Sequence, residues 1–387
     1  MSINAIENNN KIAIVVIGYN RLPSMKRLLK SLHDAHYNHN DIPLVISIDA
    51  SGCRELYDYV QHFDWPYGDK YVNIQEERLG LRNHIIQCGD LTDYFKAVII
   101  LEDDVFVSEF FYDYVEQVVG FYYNDDRVGG ISLYQNEMNG SLPICFMLDG
   151  SDTYLKQSPA SWGECWTREQ WRKFKQWYDS FSDERFALID MPERYKAWKK
   201  AWSKYYMAYL IETNRYFVFP YYSHTTCFAD AGEHSSISSS VGQACLLCGL
   251  KKYVFKEFDQ MTRYDIYFTN EAIYKWMGYS QKDLCVDWYG DNNNNRNARY
   301  ILTTSKLNYP VLKSYGLLMH PIELNIKYEI EGEGIYLYDA STKQGKVISR
   351  KRTIHFAHYL LHGTNIKLAL KYSIFEYLNI IKRKVRL

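Results

Sequence analysis

The sequence predicts an α/β protein built on a mostly parallel sheet flanked by helices, and three observations predict it. Ile12–Ile17, Leu44–Ile48 and Ala97–Leu101 are aliphatic, largely β-branched runs, the pattern of strands buried on both faces. Between them, apolar residues recur at helical spacing, as at Leu22, Met25, Leu28, Leu29 and Leu32. Strand and helix alternate at intervals of roughly 30 residues, the length of a βαβ unit.

Taken in order, residues 1–10 are polar and Asn-rich and are expected to fray. The first strand, Ile12–Ile17, leads through Gly18–Arg21 into a helix that tolerates Pro23 in its first turn. The second strand ends at Asp49–Gly52, a helix covers Glu55–His62, and a third strand lies at Tyr71–Ile74. Leu81–Phe95 reads as a helix leading into the fourth strand, Ala97–Leu101. A helix over Glu109–Tyr123 and a fifth strand at Gly130–Tyr134 follow, then turn-rich residues 135–161. A helix is expected from Trp162 to Trp177, another over Trp202–Glu212, and a strand at Tyr216–Phe219 ended by Pro220. His224–Ser240 is small and polar, as a mobile loop would be. Beyond Gly242 the alternation weakens, and Asp291–Asn295 reads as a surface loop. The division expected is a domain over 1–240 and a C-terminal α+β extension over 241–387, without internal repeats.

Composition narrows the function classes. With 47% hydrophobic and 24% charged residues, the chain has an ample core. A net charge of −1 gives no reason to expect nucleic acid as a partner. The 36 tyrosines accompany plentiful Asn, Lys and Ile, so biased composition accounts for them better than sugar stacking does. The N-terminus lacks a signal-peptide pattern, so a cytoplasmic setting with eight free thiols is expected. Cys245 and Cys248 form a CxxC without a second ligand pair and are expected as core thiols. No apolar run approaches the roughly 20 residues that cross a bilayer.

Ile366–Leu387 carries Leu368, Leu370, Ile374, Leu378 and Ile381 and ends Lys382-Arg383-Lys384-Val385-Arg386. Two readings stay open for it: a helix on an anionic membrane surface, or an amphipathic helix docked on the domain with a solvated tail.

The acidic triplet Glu102-Asp103-Asp104 directly follows the fourth strand, at the sheet end where open α/β folds bind ligands. Adjacent carboxylates repel unless a cation or hydrogen-bond donors offset them. Mg²⁺ and Mn²⁺ favour oxygen ligands, commonly one or two carboxylates with substrate phosphates. The triplet is therefore either a metal-bridged diphosphate site or an acidic turn before a helix starting near Ser108.

Several strand-end loops form a series: Ile17-Gly-Tyr-Asn-Arg21, Asp49, Arg78-Leu-Gly-Leu-Arg82 and the acidic triplet. Together with Trp162-Gly163, Trp166, Trp202 to Met207 and Gly232-Glu233-His234-Ser235, the series resembles the GT-A fold glycosyltransferases over residues 11–240. The similarity is greatest to those like N-acetylglucosaminyltransferase I and its bacterial relatives. The resemblance implies a Rossmann-like GT-A sheet and a metal-dependent, inverting transfer of sugar from a nucleotide-sugar, a UDP-sugar by preference, to a glycan acceptor, free or lipid-linked. It also implies Mn²⁺ or Mg²⁺ as cofactor and a role in bacterial capsule or O-antigen synthesis at the cytosolic face of the inner membrane, where the first of the two readings of the basic C-terminus would give peripheral contact.

The resemblance also assigns roles residue by residue. Arg21 and Asp49 fall where relatives hold the nucleotide, and Arg82 to His84 where they contact the base. Asp104 takes the position of the direct metal ligand and Asp103 that of the donor-facing carboxylate. His234 lies in the loop that relatives bring toward the donor and is either a metal ligand or a surface histidine. Relatives carry an acidic residue just after the position of Trp202, where this chain has Ser203-Lys204. Glu164, between Trp162 and Trp166, is the leading replacement as general base, with Asp190 and Glu193 behind it. Its bland alternative is a helix N-terminal carboxylate. The two tryptophans stack on a sugar face or fill the core. Two rival functions remain: a sugar-1-phosphate nucleotidyltransferase, although Gly18–Arg21 lacks a glycine-rich basic loop, and an inactive carbohydrate-binding or assembly protein.

Overall fold

The structure is a computed structural model and describes residues 6–136, 138–139, 142–231, 242–292, 298–341, 354–361 and 365–385. The chain divides into two compact units. The first holds residues 1–137, 146–278 and 291–295, and the second holds 138–145, 279–290 and 296–387.

The first unit is organised on a nine-stranded sheet. Its strands, with two short strands beside them, are β1 (Ile12–Gly18), β2 (Leu44–Ile48), β3 (Lys70–Ile74), β4 (Ala97–Glu102), β5 (Val105–Val107), β6 (Val128–Ser132), β7 (Thr153–Lys156), β8 (Glu164–Thr167), β9 (Tyr216–Pro220), β10 (Thr225–Cys227) and β11 (Arg263–Tyr264). The order across the sheet is β11-β7-β9-β6-β8-β4-β1-β2-β3, while β5 and β10 pair separately. β1 runs parallel to both β2 and β4, and β2 parallel to β3. Every residue of β1 and β2 is buried, which is why these strands read as unbroken aliphatic runs rather than alternating ones. The sheet is mixed α/β and mostly parallel, with helices α1 (Leu22–His33), α2 (Arg54–His62), α3 (Leu81–Gly89) and α4 (Phe111–Tyr122) between its strands.

Two expectations are corrected in this unit. The helix expected from Trp162 starts only at Arg168, as α5 (Arg168–Ser180). Residues Glu164 to Thr167 form the antiparallel strand β8 instead, inserted between β4 and β6 with Cys165 opposite Ile99 and Ile131. Thr167 then caps the helix, its hydroxyl accepting from the Gln170 amide at 3.3 Å while the Gln170 side chain accepts from the Thr167 amide at 3.1 Å. Cys245 and Cys248, expected in the core, are exposed, because residues 243–250 form no regular helix or strand that would carry them inward; Leu247, not the cysteines, packs against the core. All eight cysteines are free, as expected.

The unit also continues beyond residue 240. β11 pairs with β7, and Tyr253, Phe258 and Met261 pack into the same core cluster as β1 and α1. On the far half of the sheet, aromatic packing holds α5 and α6 (Trp202–Glu212) together. Trp166 is fully buried and stacks on Tyr206 at 5.4 Å, and Phe174 stacks on the same ring at 4.2 Å. Space here is tight enough to require glycine: a Cβ on Gly130 would lie 2.4 Å from the Phe217 ring and 2.8 Å from Trp166.

The second unit carries a four-stranded sheet of β12 (Leu284–Asp287), β13 (Tyr300–Thr303), β14 (Val311–Tyr315) and β15 (Ile335–Asp339), in the order β12-β13-β15-β14. Cys285, Ile301, Tyr336 and Tyr338 form its small core. A terminal helix, α7 (Ile366–Val385), closes the described chain.

Truncating Trp166 removes the largest ring of the buried aromatic cluster. Trp166→Ala should lower unfolding stability by about 3–5 kcal/mol, read as a reduced denaturation midpoint with an unchanged slope.

Candidate functional site

β1, β2 and β4 run parallel and in register, so their C-terminal residues Gly18, Ile48 and Glu102 reach one edge of the sheet together. The loops that follow line a cavity of about 660 Å³. Its lining includes Tyr19, Asn20, Arg21, Asp49, Arg78, Gly80 and His84 together with the acidic triplet. Ser161, Trp162 and the segment from Trp198 to Ser203 that leads into α6 also line it. The structure thus brings several of the sequence-predicted residues to one cavity, along with Trp198, Lys199 and Lys200, to which sequence reading assigned no role.

Asp103 and Asp104 occupy the turn between β4 and β5, and a single guanidinium answers both. Arg21 Nε donates to Asp103 Oδ2 at 3.2 Å, Nη2 pairs with Asp103 Oδ1, and Nη1 donates to Asp104 Oδ2 at 3.2 Å. The same Nη1 donates to the Asp230 carbonyl at 3.1 Å. The carboxylate of Asp230 is in turn bound by the Ser24 hydroxyl at 2.6 Å and by Arg27, both on α1. The Phe228 amide donates to the Asp104 carbonyl at 2.9 Å, so residues 228–230 lie directly against the acidic turn. Asp230, Ser24 and Arg27 are the site-building residues that sequence reading missed. Asp230 precedes the resemblance motif by two positions, but nothing in its spacing signals Arg21, 209 residues away.

One arginine is too little charge for three carboxylates. Burial pushes Asp103 up to about 6 despite Arg21, and burial followed by Asp104 and Asp103 pushes Glu102 up to about 8. The cluster therefore favours a further cation. Among the described residues no group of three or more His, Cys, Asp or Glu forms a metal cage. An ion at this turn would have two protein carboxylates at hand and would take its other ligands from water and phosphate oxygens, which is how Mg²⁺ and its analogues bind beside substrate phosphates. The donor set fits such an ion, provided that the Arg21 guanidinium gives way.

The remaining sequence-predicted residues separate. Asp49 lines the cavity, but its carboxylate is taken up by backbone: it accepts from the amides of Ala50 at 2.9 Å, Leu79 at 2.8 Å and Gly80 at 2.9 Å. It thereby folds the loop from Arg78 to Gly80 over the sheet edge, and Gly80 adopts a φ of 73° suited to glycine. His84 is buried on the cavity wall, its Nε2 is 2.7 Å from the Ser47 hydroxyl, and burial lowers its pKa to about 4, so the ring is neutral at pH 7. Arg82 turns toward Tyr205, donating to its hydroxyl at 2.6 Å. Trp162 lines the cavity, whereas Trp166 belongs to the core.

Glu164 and Asp190 do not join the lining. Glu164 faces the interior from β8 and is 1% exposed; neither carboxyl oxygen has a hydrogen-bond partner of good geometry. Burial and then the charge of Glu102 raise its pKa well above the ordinary value, the Gly163 amide offsetting part of this. Glu164 is desolvated because its strand is inserted between β4 and β6. Asp190 is exposed, and its Oδ1 accepts from the Tyr267 hydroxyl at 2.5 Å. His234 lies outside the described residues.

No protein-family model and no curated protein matches the chain. Among solved structures it is similar to S. aureus TarS 1-349 in complex with UDP-GlcNAc, at 14% identity and a TM-score of 0.36 over 58% of this chain and 60% of that one. It is also similar to S. aureus TarS, at 14% identity and a TM-score of 0.34 over 56% of this chain and 36% of that one. A third similarity is to the mannosyltransferase PcManGT from Pyrobaculum calidifontis in complex with GDP-Man and Mn²⁺, at 15% identity and a TM-score of 0.29 over 43% and 47%. The chain thus spans between 36% and 60% of the length of these solved chains.

Glu164 gives the site edge a pH signature. Its folded pKa is raised above the unfolded value of 4.5, so the stability it contributes is full below about 4.5 and declines as pH rises toward the folded pKa. Glu164→Gln removes that titration. The variant should gain stability relative to the parent as pH rises from 4.5 to neutrality, on top of a constant offset, in urea denaturation at a series of pH values.

Proposed function

We propose that this protein is a glycosyltransferase that moves a sugar from a nucleotide-sugar, a UDP-sugar bound with Mn²⁺ or Mg²⁺, to a glycan acceptor with inversion. The observation that carries the reading is the Asp103–Asp104 turn at the ends of parallel strands, in the lining of a cavity large enough for a nucleotide-sugar. Inversion, the UDP preference and a place in bacterial capsule or O-antigen synthesis, on a free or lipid-linked acceptor at the cytosolic face of the inner membrane, rest on the resemblance of the sequence motifs.

Asp104, with Asp103 beside it, would hold the divalent cation, which when bound would supply Lewis-acid neutralisation of the departing diphosphate. Arg21, displaced from the carboxylates, has a guanidinium free for a bidentate grip on phosphate oxygens. Tyr19 and Arg78, whose guanidinium lies 4.8 Å from the Tyr19 ring, wall the nucleotide side, where the neutral His84 offers no competing charge. Lys199 and Lys200 are exposed residues of the cavity lining and add positive potential to the cavity in which negative charge develops on the leaving group. The acceptor hydroxyl needs a base open to it. Of the three expected carboxylates Glu164 is enclosed while Asp190 and Glu193 are exposed, and we place Asp190 ahead of Glu164 in that role. His234 keeps its proposed part as a further metal ligand.

Three measurements test this reading. A thermal-shift screen of nucleotide-sugars should show a donor that raises the melting point only with Mn²⁺, since a ligand at a hundredfold its Kd adds about 2.7 kcal/mol. Asp104→Asn should abolish that shift and the Mn²⁺-dependent release of nucleoside diphosphate while leaving the ligand-free melting point within a few degrees; wild-type turnover in this variant would sink the metal assignment. Asp190→Asn should lower kcat by about 10²–10⁴-fold with donor affinity retained. A protein that binds donor but never releases nucleoside diphosphate would be a binding protein instead.

A further inference from the structure

The terminal helix α7 carries an apolar stripe that the described residues leave uncovered. Ile366, Leu370, Ile374, Leu378 and Ile381 recur every three or four residues and share one face. They are 80%, 61%, 53%, 50% and 43% exposed. A helix docked on its own domain would bury such a stripe, and none of the described residues does so. The surrounding charge indicates what covers it. Residues 366–387 contain six Lys or Arg against Glu376 alone, a net +5, which leaves −6 for the rest of a chain whose total is −1. Apolar area and positive charge are thus concentrated in one segment, and the exposed Lys367 and Lys371 stand at the edge of the stripe's arc nearest Leu378, where their long stems can lie along apolar surface with the ammonium groups outward.

We infer that α7 lies flat on an anionic lipid surface, its stripe at the head-group and acyl boundary and its lysines among the head groups. Flat placement follows because no described helix is long and apolar enough to cross a membrane. A second copy is the poorer occupant, since pairing two such helices sets +5 against +5 at short range. The inference stands on α7 alone and does not depend on the transferase reading.

Cosedimentation of the full chain with vesicles tests it. Binding to phosphatidylcholine vesicles containing phosphatidylglycerol should exceed binding to phosphatidylcholine alone by at least about tenfold, and high salt should weaken it. Leu370→Glu with Ile374→Glu should abolish binding without moving the melting point, because both side chains are already exposed. Lys367→Glu with Lys371→Glu should weaken it while leaving the stripe intact. The inference is overturned by absence of binding to either vesicle, by equal binding to both, or by binding that survives the double glutamate variant. It is also overturned if light scattering shows a dimer that Leu370→Glu with Ile374→Glu dissociates and the parent protein ignores vesicles.

Discussion

The grip of Arg21 on Asp103 and Asp104 is the interaction on which the candidate site depends. Two carboxylates on consecutive residues at a largely buried turn are tolerable only with a cation between them, and the chain supplies its own from the loop after β1. That guanidinium also ties the acidic turn to Asp230, and through Arg27 and Ser24 to α1. The site is therefore pre-assembled around a charge that can be exchanged. Under the proposed function, a metal ion with a diphosphate would offer the same carboxylates a stronger partner and the guanidinium phosphate oxygens, so that binding would swap one neutralised arrangement for another.

The sheet makes that arrangement possible. Parallel pairing of β1 with β2 and β4 brings Gly18, Ile48 and Glu102 to one edge, and the polar residues after each strand inherit the placement. Asp49 illustrates how indirect such a contribution can be. Its carboxylate does not project free into the cavity but gathers three backbone amides, and so folds the 78–80 loop that forms the wall. Insertion of β8 against β4 has the opposite consequence for Glu164: alternation along a strand buried on both faces aims it inward, where its charge is opposed by both burial and Glu102.

What was legible in the sequence follows a physical division. Strands buried on both faces must be continuously apolar, so β1, β2 and β4 declared themselves, and the acidic triplet with them. The helical spacing of α1, α4 and α6 was equally plain. β8 was not, because its four residues, Glu164 to Thr167, are a strand only through pairing with β4 and β6, and short mixed-polarity segments carry no period of their own. Cys245 and Cys248 looked like core thiols by composition, yet their segment forms no regular element to carry them inward.

By itself the sequence determined the α/β class, the order of the parallel strands' loops and the concentration of positive charge beside apolar residues in the last 22 positions. These are properties of neighbours along the chain. Tertiary structure alone decided that Arg21 meets Asp103 and Asp104, that Asp230 and Arg27 support them, that Glu164 is enclosed while Asp190 is exposed, and that the described residues leave the stripe of α7 uncovered. Each of these depends on distance or burial between residues far apart in sequence, and the electrostatic and solvation energies that govern a site depend on those distances rather than on spacing along the chain.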